Sequence, residues 1–226
     1  MDGNSKARDT FNGSVIRRPS IGEVITLSGA WEFEARDPNG ALLWRDGFDN
    51  LVVDQGLNEM LGLMLDRSTS PAYTKQTAWY IGLVVETASP AYAATDTLAT
   101  NPNWNEVTAY SEANRQTFTD GGVSAKSLDN SASKATFTIN ADTTVLDGGL
   151  LASDNTKGGT TGILYSVGAF TGGQKTLDTN DTIDVQATFT NTACVDAEPE
   201  AGGDPVTQDC DTGEVTLSNP SLNLVK

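Results

Sequence analysis

The chain has 226 residues, 30 acidic against 14 basic side chains, a net charge of −16 and no histidine. That balance argues against a nucleic-acid surface, which needs clustered Lys and Arg, and against docking on an anionic membrane. It favours solubility and a basic protein surface as partner. The length suits one domain with extensions, or two small domains, and is ample for a core. No run approaches the ~20 apolar residues of a membrane-spanning helix. The first twenty residues have no apolar centre, which reads against a signal peptide.

Residues 1–28 read as an extended arm. They are polar and weakly patterned, with Lys6, Arg8, Arg17 and Arg18 set against Asp2, Asp9 and Glu23. Such a segment buries too little apolar surface to order on itself, so a neighbouring subunit is its expected support. Residues 29–192 read as a β-sandwich domain. In Ala30–Arg36, Trp31, Phe33 and Ala35 alternate with charged residues, a period of two with one dry face. Asp37-Pro38-Asn39-Gly40 predicts a hairpin turn: Pro38 presets φ and Gly40 tolerates a positive one. Leu42–Trp44 begins the return strand, and Leu51–Val53 continues it after a kink at Gly47.

Leu57, Met60, Leu61, Met64 and Leu65 fall at helical spacing on one stripe. Asp54 suits the N-cap. Gly56 and Gly62 weaken the helix, so tertiary packing must hold it. The expectation is a plug that lays this stripe over one end of the sandwich. A strand at Trp79–Val85 precedes a long connection to about Trp104. Further alternation places Ala135, Phe137 and Ile139, then Ile183, Val185, Ala187 and Phe189, toward the core. The fold class read from these signals is mainly β: an antiparallel, jelly-roll-like sandwich with one short amphipathic helix and terminal arms.

Residues 193–226 read as an acidic loop and a final strand or tail. Between Asp178 and Glu214 there are ten acidic residues and no basic one. Ala193–Gly213 has the composition of an exposed loop, which also marks it as a surface for binding. It contains both cysteines, Cys194 and Cys210, which are either a disulfide or two free thiols. A bridge would contribute ~3 kcal/mol by loop entropy. Two cysteines without histidine are too few for a zinc site.

The chemistry of catalysis is hard to place. Lack of histidine removes Ser-His-Asp and Cys-His arrangements, and no nucleophile elbow, phosphate loop or dinucleotide fingerprint is present. Glu32 and Glu34 could form a glycosidase-like pair, but the solvent face of an amphipathic strand explains them better. Asp178, Asp181 and Asp184 do not match a calcium loop and read as a polar turn. Asp96 and Thr97 read as self-capping turn residues. The expectation is no enzyme activity, cofactor or metal. Trp104, Tyr110 and Arg115 are either an aromatic and cationic interface anchor or core residues.

One segment goes further. Trp79, Gly82 and Leu83 are followed by Asp96-Thr97, then by Trp104, Glu106, Tyr110, Ser111 and Arg115. This series resembles a segment of small structural proteins of tailed bacteriophages, and the likeness extends roughly over residues 29–191. The resemblance implies a virion component made in the host cytoplasm. Its leading implication is a capsid decoration (cement) protein on the outer face of the head, with the major capsid protein and its own copies, as a homo-trimer, for partners. The other implication is a tail, neck or head-fibre component in host attachment, with residues 86–103 or 193–213 presented for binding.

Overall fold

The computed structural model describes residues 21–66, 75–89, 91–197 and 209–211, and for 21–27, 192–197 and 209–211 the backbone alone. Contacts group the chain into a body, Thr26–Thr192, and a second unit of residues 1–25 and 193–226. The described elements in chain order are β1 (Ile21–Arg36), β2 (Leu42–Asp49), β3 (Leu51–Val52), α1 (Asp54–Leu65), β4 (Tyr80–Glu86), β5 (Trp104–Val107) and β6 (Gln116–Thr117). There follow β7 (Ser127–Asp129), β8 (Ala135–Thr138), β9 (Thr144–Leu146), β10 (Gly148–Ala152), β11 (Leu164–Ala169), β12 (Lys175–Leu177), β13 (Thr182–Ala197) and β14 (Asp209–Asp211). The fold is mainly β, with antiparallel sheets arranged like a sandwich.

The first sheet of the body sets β2, β1 and β13 side by side, with β8 and β7 end to end along the far edge of β13. Asn130 bridges the gap between those two short strands. Its side-chain amide donates to Val185 O (3.1 Å) and accepts from Ala187 N (2.8 Å), so β13 keeps its bonds where no strand lies opposite. The second sheet runs β3-β11-β10-β4-β5, with β6 also on β4, and β9 pairs with β12. The predicted turn forms: Gly40 takes φ +83°, and the Asp37 carboxylate accepts from Asn39 N and Ala41 N.

The core lies where the alternation places it. Trp31, Phe33 and Ala35, then Ala135, Phe137 and Ile139, then Ile183, Val185, Ala187 and Phe189 all turn inward and are buried. They meet Ile81, Leu83 and Leu151 of the second sheet. Trp31 and Phe33 press on Gly149, where a Cβ would sit 2.8 Å from the Phe33 ring. The other face of the second sheet carries a smaller core of Val53, Val84, Leu98, Trp104, Leu150, Ala152, Leu164 and Val167. Burial on both faces explains why β10, GGLLA, lacks alternation.

Four boundaries differ from the sequence reading. Residues 21–28, read as arm, belong to β1, because β-branched Ile21, Val24, Ile25 and Thr26 favour a strand. Inside the stretch read as a loop, β13 runs on to Ala197 and Ala193–Val195 pairs with β14. Asp54 is the first helical residue rather than the cap; Val53 holds the cap position without a side-chain bond. Asp54 still sits where a negative charge favours the helix dipole. Finally, β3 does not continue β2 but joins the second sheet, pairing with β11.

Candidate functional site

Of the two readings open for Trp104, Tyr110 and Arg115, burial selects the internal one. All three are at most 2% exposed, so in this body they are not a surface anchor. Arg115, just before β6, sends its guanidinium to Glu106 of β5 in a fork: Nε to Oε1 at 2.9 Å and Nη2 to Oε2 at 2.7 Å. Its remaining donors reach Asp154 O (2.8 Å) and Gly159 O (2.9 Å), and Gly158 N donates to Glu106 Oε2 (2.9 Å). The pair thereby pins the 154–159 loop to β5. Trp104 Nε1 donates to Asp96 Oδ2 (2.8 Å), which also accepts from Ala93 N, while Thr97 Oγ1 caps Thr100 N. Tyr110 packs edge-on against Phe137, and the Lys157 ammonium lies 4.3 Å over its ring. Asp96, Thr97, Trp104, Glu106, Tyr110 and Arg115 are thus braces of the scaffold.

Most of the other carboxylates singled out in the sequence are similarly committed, while Glu32 is exposed. Glu34 pairs with Arg45 and Arg36. The Arg45 bond in particular, helped by Arg36, holds its carboxyl below the usual range despite some desolvation. A carboxylate held ionised is a poor general acid. Glu34, Glu32, Asp46, Lys134 and Asp184 line a polar groove of about 520 Å³. Asp181 Oδ2 accepts from Asp178 N, Asp178 Oδ1 from Thr143 N, and Asp184 Oδ1 from Thr136 Oγ1. These three cap turns and cross-strand pairs. Among the described residues no cluster of three or more Asp, Glu or Cys is arranged to hold a metal.

Helix α1 overturns its expected orientation. Its buried residues are Gly56, Glu59 and Gly62. At helical periodicity these share one side, and Leu57, Leu61, Met64 and Leu65 share the opposite one. Those four are 41%, 55%, 69% and 69% exposed. The reason is close approach: a Cβ on Gly56 would lie 2.4 Å from Tyr165 O, so the glycine side can lie flat on β11 and the leucine side cannot. Gln55 accepts from Leu164 N (3.1 Å), and Glu59 accepts from Gln76 (2.9 Å). The signal was present in the sequence as glycines at 56 and 62 on one side, but the apolar stripe was given priority.

Beside the helix, Met60, Leu63, Trp79, Phe118, Tyr165 and Phe189 line an apolar pocket of about 320 Å³. Its rim holds Val123, 77% exposed. Next to Val123, the turn from Ser124 to Ser127 carries Ala125 and Lys126 at φ +49° and +63°, a conformation usually left to Gly or Asn. This end of the body combines the exposed helix stripe, the apolar pocket and a strained turn. It is the candidate site, and it is suited to protein contact.

Lys6, Arg8, Arg17 and Arg18 lie outside the described residues. Cys194 and Cys210 are cross-strand partners in the backbone register of β13 and β14, and their side chains lie outside the described residues. No known protein family model matches the chain, and neither a curated protein nor a solved structure matches it.

Proposed function

We propose that the chain is a structural component of a tailed-bacteriophage virion, a decoration protein that attaches to the major capsid protein on the outer face of the head. The observation that carries this is the pairing of a heavily braced, acidic β-body with an uncovered apolar end. A cement protein needs a stiff body, good solubility before assembly and a face held in reserve for contact. The net charge of −16 supplies the solubility and a long-range attraction to a basic shell. The virion setting rests on the resemblance of residues 29–191 to phage structural proteins alone.

The carboxylates of the body act as caps and braces, which supports a binding role over a catalytic one. The connection at 86–103, offered for receptor binding in the alternative reading, is instead stapled down. Thr87 N donates to Asn103 O, Tyr92 OH donates to Asp147 (2.6 Å), and Leu98 and Asp96 are buried.

The test is abundance and position in purified particles. A decoration protein approaches the capsid protein in copy number and lies on the shell in a density map of the particle. A copy number far below that, with density at the neck or tail, would move the protein to the attachment machinery. Absence from the particle would remove the reading.

A further inference from the structure

From the outward face of α1 we infer that it is a seam between copies of this chain, one protomer's α1 packing against the same helix of a second copy. The inference concerns the same uncovered end that supports the proposed function: it assigns that end to a second copy and leaves the shell to be met by the acidic faces of the body.

The apolar side chains are too many and too well aligned to be incidental. Leu57, Leu61, Met64 and Leu65 are each between 41% and 69% exposed on a helix of twelve residues. Together they present roughly 400 Å² of apolar surface, in the range where the largest patch on a soluble protein is often functional. A helix gains nothing in isolation from leucines in water. It holds its place on β11 through Gly56 and Gln55, and Glu59 is held by Gln76, so the stripe is free of any role in seating it.

A second copy fits this face better than a basic partner does. The steps from Leu57 to Leu61 to Met64 are four and three residues, the spacing of a helix–helix seam, and an identical helix meets it with the complementary spacing. The stripe carries no charge along its length; Asp54 and Asp66 lie only at its two ends. A basic surface would be recognised by carboxylates, which this face lacks. Two copies of a chain with net charge −16 repel wherever acidic faces meet, so they can join only through an uncharged one. Met60 and Leu63 carry the helix surface into the mouth of the neighbouring pocket, where Val123 extends it. The stripe therefore forms the apolar centre of a larger contact, as an interface of about 800 Å² per partner requires.

The test is the solution mass of the full chain by sedimentation or light scattering, for the wild type and for Leu61→Asp with Met64→Asp. Both side chains are more than half exposed, so the substitutions leave the body folded, which circular dichroism and thermal unfolding check. The expected result is a wild-type oligomer, a multiple of the 23.8 kDa chain, that falls to the monomer mass in the double variant. Should the aspartates disturb folding, Leu61→Gln with Met64→Gln gives the same reading at lower cost. A wild-type protein that stays monomeric at high micromolar concentration overturns the inference, including the case where its own N-terminal segment covers the stripe. An oligomer that survives the substitutions overturns it as well.

Discussion

Replacing Arg115 by alanine is the sharpest probe of the braced body. The guanidinium is fully buried and Glu106 nearly so, at 0% and 8% side-chain exposure. The substitution strands the Glu106 carboxylate with one remaining partner, Gly158 N, and leaves Asp154 O and Gly159 O without the donors that now hold them. Removing one member of a buried pair costs about 3–5 kcal/mol, against a total stability of about 5–15 kcal/mol for a domain. Arg115→Ala should therefore lower the urea midpoint severely. Arg115→Lys, which keeps the charge but loses the fork, should recover only part of the loss. Replacing both residues by apolar ones of similar volume, Arg115→Met with Glu106→Leu, should cost less than Arg115→Ala alone. Equilibrium unfolding followed by tryptophan fluorescence measures all three. A loss below about 1 kcal/mol for Arg115→Ala, the value of an exposed pair, would refute the claim that this fork braces the body.

Gly56→Ala should destabilise the protein even though alanine gains about 1 kcal/mol of helix propensity, because its Cβ would strike Tyr165 O; a raised melting temperature would contradict the seating of α1 on β11. Burial works against ionisation of Asp46, but bonds from Lys175, Gly47, Gly172 and Thr171 outweigh it, so its folded pKa lies below the ordinary 3.8. Its contribution is then present above that value and lost as pH falls through the lowered one, so Asp46→Asn should flatten the acid limb of a stability–pH curve below about pH 4; an unchanged limb counts against it. Cys194 and Cys210 are partners in the backbone register of β13 and β14. Antiparallel partners lie about 4.5–5.5 Å apart at Cα, within the span of a disulfide, so protein purified in air should resist thiol alkylation until reduced. Attachment to virions should weaken as salt approaches 1 M, where the screening length is about 3 Å; retention unaffected by salt would exclude electrostatic attachment.

Period-two alternation was the legible part of the fold. The inward residues of β1, β8 and β13 could be named because each strand has one wet face and one dry face. Alternation gives no signal where a strand is dry on both faces, as in β10, or only two or three residues long, as in β6 and β9; at Leu51–Val52 the sequence marks the strand but not the sheet it joins. Those short strands take their places from partners distant in sequence, Leu51–Val52 from Val167 and Ser166 and Thr144–Leu146 from Lys175–Leu177, which no local pattern records. The candidate site was less legible. The residue types of Trp104, Tyr110 and Arg115 suit an interface as well as a core. What decides is remote: for Arg115, Glu106 nine residues away with carbonyls in a loop forty or so residues on; for Trp104, Asp96; and for Tyr110, Phe137 and Lys157.

The helix shows why pattern and role can part. An apolar stripe predicts that something covers it, and intuition supplies the chain's own core. In α1 the decision rests with Gly56. Lying flat on β11 brings backbone close to backbone, which only Gly56 permits, and buries Glu59 with a hydrogen bond from Gln76. Turning the helix by half a revolution would bury four leucines and methionines, but it would force their bulk into the space that Gly56 leaves to Tyr165 O. The stripe is therefore left facing outward by packing geometry. For a chain with 30 acidic residues, an uncharged face of that kind is where association between copies costs least in electrostatic repulsion. The mass of the full chain in solution decides whether that face is used.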